Sequence, residues 1–285
     1  KVLDAARRHV QKGARAKAFK EYGKLLAADP QDAKLLLEVG DTYRRWGETE
    51  EAITHYTKVA SLHRSEGYDA RAIAVLKQII NLDPMRHTVR VALAELYQQI
   101  GLASEAVAAL QQVADVYAKE GRQRESLDLL RKMAGIPLGV AADALETARK
   151  MLSEKGDRQT GQLYRDMPRV QMAVAEAQSK LGAARSYVFS SLEKQWNKIE
   201  RGEEPTVEER ADVWLSRTNA FQTGREIVSQ MYDTVGGAAI YSKKSPFDRH
   251  MRDMQTACQH LVGQIKGWEA AGSLLLKGES GHPLI

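Results

Sequence analysis

Cysteine is almost missing from this 285-residue chain, which has only Cys258. One thiol cannot close an internal disulfide, so a disulfide-stapled scaffold is excluded and a reducing, cytoplasmic setting is expected. No apolar run approaches the ~18 residues of a spanning helix, so membrane insertion is not expected. The seven histidines (9, 55, 63, 87, 250, 260 and 282) form no His-x-x-x-His pair, no Cys-x-x-Cys exists, and no metal site is expected. Cys258 and His260, two apart on a helix, point roughly 160° away from each other. Nor do Met254 and Val262 offer Cys258 a base at helical spacing, which argues against a cysteine nucleophile. There is no Gly-x-Gly-x-x-Gly and no P-loop; Gly236-Gly237 reads only as a turn pair. An excess of one charge is lacking too, with 42 Lys and Arg against 37 Asp and Glu, alternating along the chain. That is the pattern of solvated helix surfaces, and no nucleic-acid partner is expected. Trp46, Trp196, Trp214 and Trp268 read as packing residues rather than stacking platforms. Beginning at Lys1, the chain is compatible with a fragment or a processed protein.

What the sequence does have is helical periodicity. Apolar residues recur at spacings of three and four, and no convincing alternating β-branched run appears, so the fold class is all-α. Gly13, Gly47, Gly67, Gly101 and Gly121 each follow a run ending in polar or basic residues, as the glycine after a helix does. Asp29-Pro30 and Asp83-Pro84 end helices differently, because proline disfavours helical geometry in the residue before it. These signals predict eight helices, at about 2–12, 15–28, 32–46, 49–66, 69–82, 86–100, 103–120 and 122–134.

The chain also repeats itself. Gly40-x-x-Tyr43-x-x-x-Gly47-x-x-x-x-Ala52 recurs 54 positions later as Ala94-x-x-Tyr97-x-x-x-Gly101-x-x-x-x-Ala106. A fixed period of small and aromatic residues marks stacked units, each needing its neighbours to bury its apolar face. Leu36, Gly40, Tyr43, Gly47, Ala52 and Tyr56 give the stretch from Lys34 to Asp69 a resemblance to the tetratricopeptide repeat. Ala6, Gly13, Ala18, Tyr22 and Pro30 fill comparable places before it, and Ala72, Leu76, Ile79 and Pro84 after it. Gly67 and Gly121 sit 20 residues after Gly47 and Gly101, so helices 49–66 and 103–120 serve both as second helix of one unit and first of the next. The resemblance implies a solenoid over residues 1–134 whose groove takes an extended or helical partner segment. Lys34, Leu37, Asp41, Arg44, Arg45, Val91, Glu95, Gln98 and Gln99 are its expected lining.

The pattern stops at Ala134. Gly135-Ile136-Pro137-Leu138-Gly139 stands where an apolar-Asp-Pro ending is due, and a new helix is expected from there to about Glu154. A polar loop and two helical patterns of about 30 residues follow, roughly 168–201 and 206–234, the second opened by a Thr206/Glu209 capping box. Such lengths suit an up-and-down four-helix bundle over residues 135–285.

This half resembles, over its whole length, the C-terminal helical domain of the acyl-CoA dehydrogenase superfamily, in its branch of flavin-dependent monooxygenases. The match is carried by Gly139-Val140-Ala141, by Arg169-Val170-Gln171 with Ala175-Glu176-Ala177, by Glu209-Arg210-Ala211, and by the segment from Ser245-Pro246 through Arg249, Arg252 and Asp253 to His260. At helical spacing Arg249, Asp253, Thr256 and His260 fall within roughly 60° of one another, which is either a solvated face or a site. By resemblance this face borders a flavin and substrate cavity. His260 then serves as the catalytic hydrogen-bonding group, and Arg249, Arg252 and Asp253 position cofactor, substrate or a neighbouring subunit.

Against catalysis stands a departure: the related enzymes carry an N-terminal helical domain and a central β-domain, and here the repeats occupy that place. The sequence therefore points first to a protein-interaction scaffold whose bundle self-associates, with no cofactor for the chain alone. Its alternative is a subunit of an FMN- or FAD-dependent oxidoreductase localised by the repeats.

Overall fold

A computed structural model of the chain describes residues 1–157, 159–240, 246–260 and 263–279. Ser245, Val262 and His282, named above, lie outside them. The described residues form helices and no strands, apart from an isolated antiparallel bridge between Gly156 and Leu163. None of these helices is long and apolar enough to cross a membrane. Packing divides the chain into two compact units, Lys1–Leu96 and Tyr97–Ile285, a division that does not coincide with the change of pattern at Ala134.

The first unit holds α1 (Val2–Gln11), α2 (Arg15–Ala28), α3 (Ala33–Arg45), α4 (Thr49–Ser65), α5 (Asp69–Leu82) and most of α6 (His87–Gln99), all close to their expected bounds. Glycine ends helices where expected: Gly47 takes φ of +78°, and the chain then closes with Glu48 N–H donating to the Tyr43 carbonyl. Only glycine enters that left-handed region without strain. Asp32 starts α3 by accepting from the backbone N–H groups of Lys34 and Leu35, both at 3.0 Å.

Ala6, Tyr22, Leu35 and Val39 form a core between α1, α2 and α3. A Cβ on Gly40 would stand 2.8 Å from the Tyr56 ring, so the absent side chain is what lets α3 and α4 meet. Both buried tyrosines are tied to α3 by their hydroxyls, Tyr22 donating to Glu38 at 2.9 Å and Tyr56 to Asp41 at 2.7 Å.

The second unit holds α7 (Ala103–Lys119), α8 (Gln123–Glu154), α9 (Pro168–Glu200), α10 (Val207–Val235), α11 (Phe247–Ala257) and α12 (Lys266–Lys277). Helices α8, α9 and α10 pack on one another; α7 lies on α8, α11 on α7, α8 and α10, and α12 on α10. The expected capping box is present, with the Glu209 N–H on Thr206 Oγ1 and the Thr206 N–H on Glu209.

Two expectations are corrected. The break at 135–139 does not occur, because α8 runs through Pro137 without interruption. Ile136, Pro137 and Leu138 are buried, and α10 crosses so closely that a Cβ on Gly224 would stand 3.0 Å from the Pro137 carbonyl oxygen. A proline inside a helix costs about 3 kcal/mol, and here burial and the crossing outweigh it. The fourth arm of the bundle is likewise not one helix: α11 ends at Ala257 and α12 follows as a separate piece.

Candidate functional site

Helix α11 divides its residues between two sides. Phe247, His250, Met254 and Ala257, at spacings of three and four, are buried against the bundle. Arg249, Arg252 and Thr256 are exposed, and Asp253 and His260 are half-buried. His260 lies beyond the end of the helix, which corrects the single-helix stripe. It sits in a turn where its N–H donates to the Ala257 carbonyl and its own carbonyl accepts from Gly263.

The stripe still has two members that share surroundings. Burial pushes the Asp253 carboxyl above its ordinary range and the His260 imidazole below its own, and Glu105 of α7 adds to the first shift and opposes the second. Both therefore lie within the electrostatic reach of the same carboxylate on α7, a helix that α11 packs against. Arg249 lies across the turn that opens α7, its Nε 3.3 Å from where a Cβ on Gly101 would be. Arg252 lies 3.8 Å from Asp248 on its own helix and, with Arg249, opposes the rise at Asp253, and the Thr256 hydroxyl donates to the Arg252 carbonyl. The face thus abuts α7, and the grooves of about 570, 510 and 420 Å³ in this unit are lined by other residues.

Two polar groups that sequence reasoning passed over are buried here. His250 is 2% exposed, and its Nε2 lies 2.7 Å from Asp143 Oδ2 on α8. Burial lowers its pKa despite that carboxylate, and its Nδ1 is buried with no partner among the described residues. The Phe247, His250, Met254, Ala257 spacing is the signal that could have placed it inward. Arg217 of α10 is buried over the Trp214 ring at 4.3 Å; burial brings its pKa down to about 10, opposed by Asp115 of α7. Cys258 is buried as well, its Sγ 3.5 Å from the Phe221 carbonyl, and burial raises its thiol pKa. No group of three His, Cys, Asp or Glu that could hold a metal occurs among the described residues.

In the first unit, the expected groove residues of α3 fall along one helix. Lys34, Arg44 and Arg45 are exposed, while Leu37 and Asp41 are half-buried. Asp41 is already engaged, accepting from Tyr56 and from Gln78 at 3.3 Å and lying 3.5 Å from Arg44. Val91 and Glu95 belong to the part of α6 in this unit, and Gln98 and Gln99 to the part beyond the division at Leu96. A separate groove of about 280 Å³, not among the expectations, lies between α4, α5 and α6, where Thr57, Ala60, Arg64, Leu76, Ala92 and Leu96 line it. The double role of helix 49–66, legible from the glycine spacing, is the signal for it.

With this geometry in hand, comparison with known proteins finds two family models. Residues 33–65 match the tetratricopeptide repeat, and residues 132–264 match the acyl-CoA dehydrogenase C-terminal domain, a match that begins inside α8. The chain is 31% identical over 93 residues to an indole-3-acetate monooxygenase of Acinetobacter baumannii, covering 33% of this chain and 24% of that protein. It is 27% identical over 95 residues to a pigment production hydroxylase of Rhodococcus erythropolis, with the same shares. The chain thus spans about a quarter of the length of the curated relatives it matches. A crystal structure of a tetratricopeptide repeat protein from Parabacteroides merdae aligns at 18% identity over 89% of this chain and 97% of that one, with a TM-score of 0.25. The two family models thus match separate stretches of one chain, in the halves where the two resemblances were expected.

Proposed function

We propose that the chain is a protein-interaction scaffold: its repeat helices offer a groove to a partner segment, and its helical bundle joins copies of the chain. The observation that carries this reading is the contact between α11 and α7, in which Arg249 lies across the turn at Gly101 and Asp253 and His260 both feel the Glu105 carboxylate. Two guanidiniums, Arg249 and Arg252, and two carboxylates, Asp253 and Glu105, offset one another there, so the face offers a flavin phosphate no net positive charge. On this reading the chain alone binds neither flavin.

The groove between α4, α5 and α6, with small side chains on its walls and Arg64 at its edge, suits an extended or helical partner segment. Self-association is supported by α12 and the residue preceding it, where Ile265 is 66% and Leu276 87% exposed beside Trp268 and Leu275. A buried, unpaired Cys258 agrees with a cytoplasmic setting.

The second reading, a subunit of a flavin-dependent oxidoreductase localised by the repeats, rests on the monooxygenase and hydroxylase names of the relatives. Size-exclusion chromatography with light scattering and a visible spectrum separates the two. A colourless oligomer that takes up no FMN or FAD and becomes monomeric on Leu276→Glu is the expected result. A yellow chain retaining flavin overturns the scaffold reading, and a monomeric parent overturns self-association.

A further inference from the structure

Helix α9 carries four side chains at spacings of four, three and four: Phe189, Glu193, Trp196 and Glu200. Those spacings place them on one stripe of the helix, so aromatic and acid alternate along a single line. The stripe lines a groove of about 420 Å³ between α8 and α9, floored by the buried Leu192, and α8 contributes Arg131. Phe189 is 47% exposed, so its ring is open to a ligand.

Two features favour a cation in the groove. Glu193 and Glu200 form no ion pair among the described residues, so their charge is uncompensated, whereas Asp128 at the same groove is engaged by Lys132 at 3.6 Å. The face of Phe189 already holds a guanidinium, with Arg131 Cζ 5.1 Å from the ring centroid. An aromatic face attracts cations through its quadrupole, and Trp offers the stronger face. An anionic ligand meets the two free carboxylates, and a neutral apolar ligand makes no use of them.

We propose that this groove is a binding site for an organic cation, an alkylammonium or guanidinium group on an apolar body, seated against Trp196 and Phe189 with Glu193 and Glu200 at its rim. Trp196 is then a stacking platform after all, contrary to the expectation from its sequence context. Arg131 is the resident competitor: it is exposed, and an incoming cation displaces it from Phe189. The site is independent of the repeat groove and of the scaffold reading. The cation can come from a free small molecule or from a Lys or Arg side chain of a partner protein, and the two sources are separable.

The test is isothermal titration calorimetry on the full chain with three probes: benzyltrimethylammonium, acetyl-Ala-Arg-Ala-Leu-amide, and the same peptide with citrulline in place of arginine. At least one cationic probe is expected to bind. Trp196→Leu should weaken it about tenfold and the Glu193→Gln/Glu200→Gln double variant about fivefold, while Arg131→Gln should strengthen it about threefold. The last change alters only an exposed side chain, so its effect stands even if Trp196→Leu disturbs folding. Benzyltrimethylammonium binding as tightly as the arginine peptide identifies a small-molecule source. An arginine peptide binding about tenfold tighter than both other probes identifies a partner's side chain. Binding of neither cationic probe, or binding that all three variants leave within about twofold of the parent, overturns the proposal.

Discussion

The turn at Asp83-Pro84 and the stretch at Ile136-Pro137 carry the same breaker and have opposite outcomes. At the first, α5 stops at Leu82 and Asp83 takes an extended φ of −134° before the proline. At the second, α8 continues on both sides of Pro137. The surroundings make the difference. Pro84 and Met85 are exposed, with nothing packed over them to hold a helix, whereas Pro137 lies under α10 at Gly224. A breaker is a local preference of about 3 kcal/mol, and a buried crossing can exceed it.

The largest effects should come from filling the two close crossings. Gly40→Ala puts a methyl 2.8 Å from Tyr56, and Gly224→Ala puts one 3.0 Å from both Pro137 and Met254. Each should lower stability by about 2 kcal/mol in urea denaturation, more than the ~1 kcal/mol that alanine returns through helix propensity. Gly23→Ala and Gly182→Ala meet nothing within 4 Å and should instead stabilise by up to about 1 kcal/mol. If all four changes shift stability alike, close approach is not why Gly40 and Gly224 stand where they do.

A smaller effect, about 1 kcal/mol, is expected from Tyr56→Phe, which leaves Asp41 short of its 2.7 Å donor. Thermal melts of Tyr56→Phe and Gln78→Leu should rank in that order, because the Gln78 bond is longer, at 3.3 Å. Pro137→Ala sharpens the comparison directly. It restores a helix hydrogen bond at the cost of ring packing and should stabilise by about 1 kcal/mol, while Pro84→Ala should stay within about 0.5 kcal/mol. A loss at Pro137→Ala comparable to that of Gly224→Ala would mean the ring itself holds the crossing.

The smallest effect is one of pH. Burial holds the His250 imidazole below its ordinary value, so below about pH 6.5 the unfolded chain takes up a proton that the folded chain resists. Stability from this group is complete above pH 6.5 and falls as the pH drops, by about 1 kcal/mol or less, because Asp143 opposes the shift. Chemical denaturation at pH 7.5 and 5.5 should show that loss in the parent and a smaller one in His250→Gln.

Much of the fold was legible because its determinants are local. Glycine φ values, Asp-Pro turns, the Asp32 and Thr206 caps and the 3.6-residue period act within a few residues, and helices α1 to α7 follow them. What could not be read depends on contacts distant in sequence. Pro137 is held by Gly224, the end of α11 precedes His260, and His250 turns inward to Asp143. Of the candidate site, the shared surroundings of Asp253 and His260 were foreseeable from spacing, but the presence of α7 beside them was not. The cavity between α4, α5 and α6 was not foreseen, although the glycine spacing already marked helix 49–66 as serving two units.

The single cysteine gives the chain a built-in reporter. Because Cys258 is 4% exposed and its thiolate is disfavoured, a thiol reagent reaches it only when the bundle opens, and its labelling rate counts those openings. A second cysteine placed on any exposed position, Arg64 or Glu200 for example, would react first and almost alone. A dye at either place would watch one groove fill with the native Cys258 left where it is.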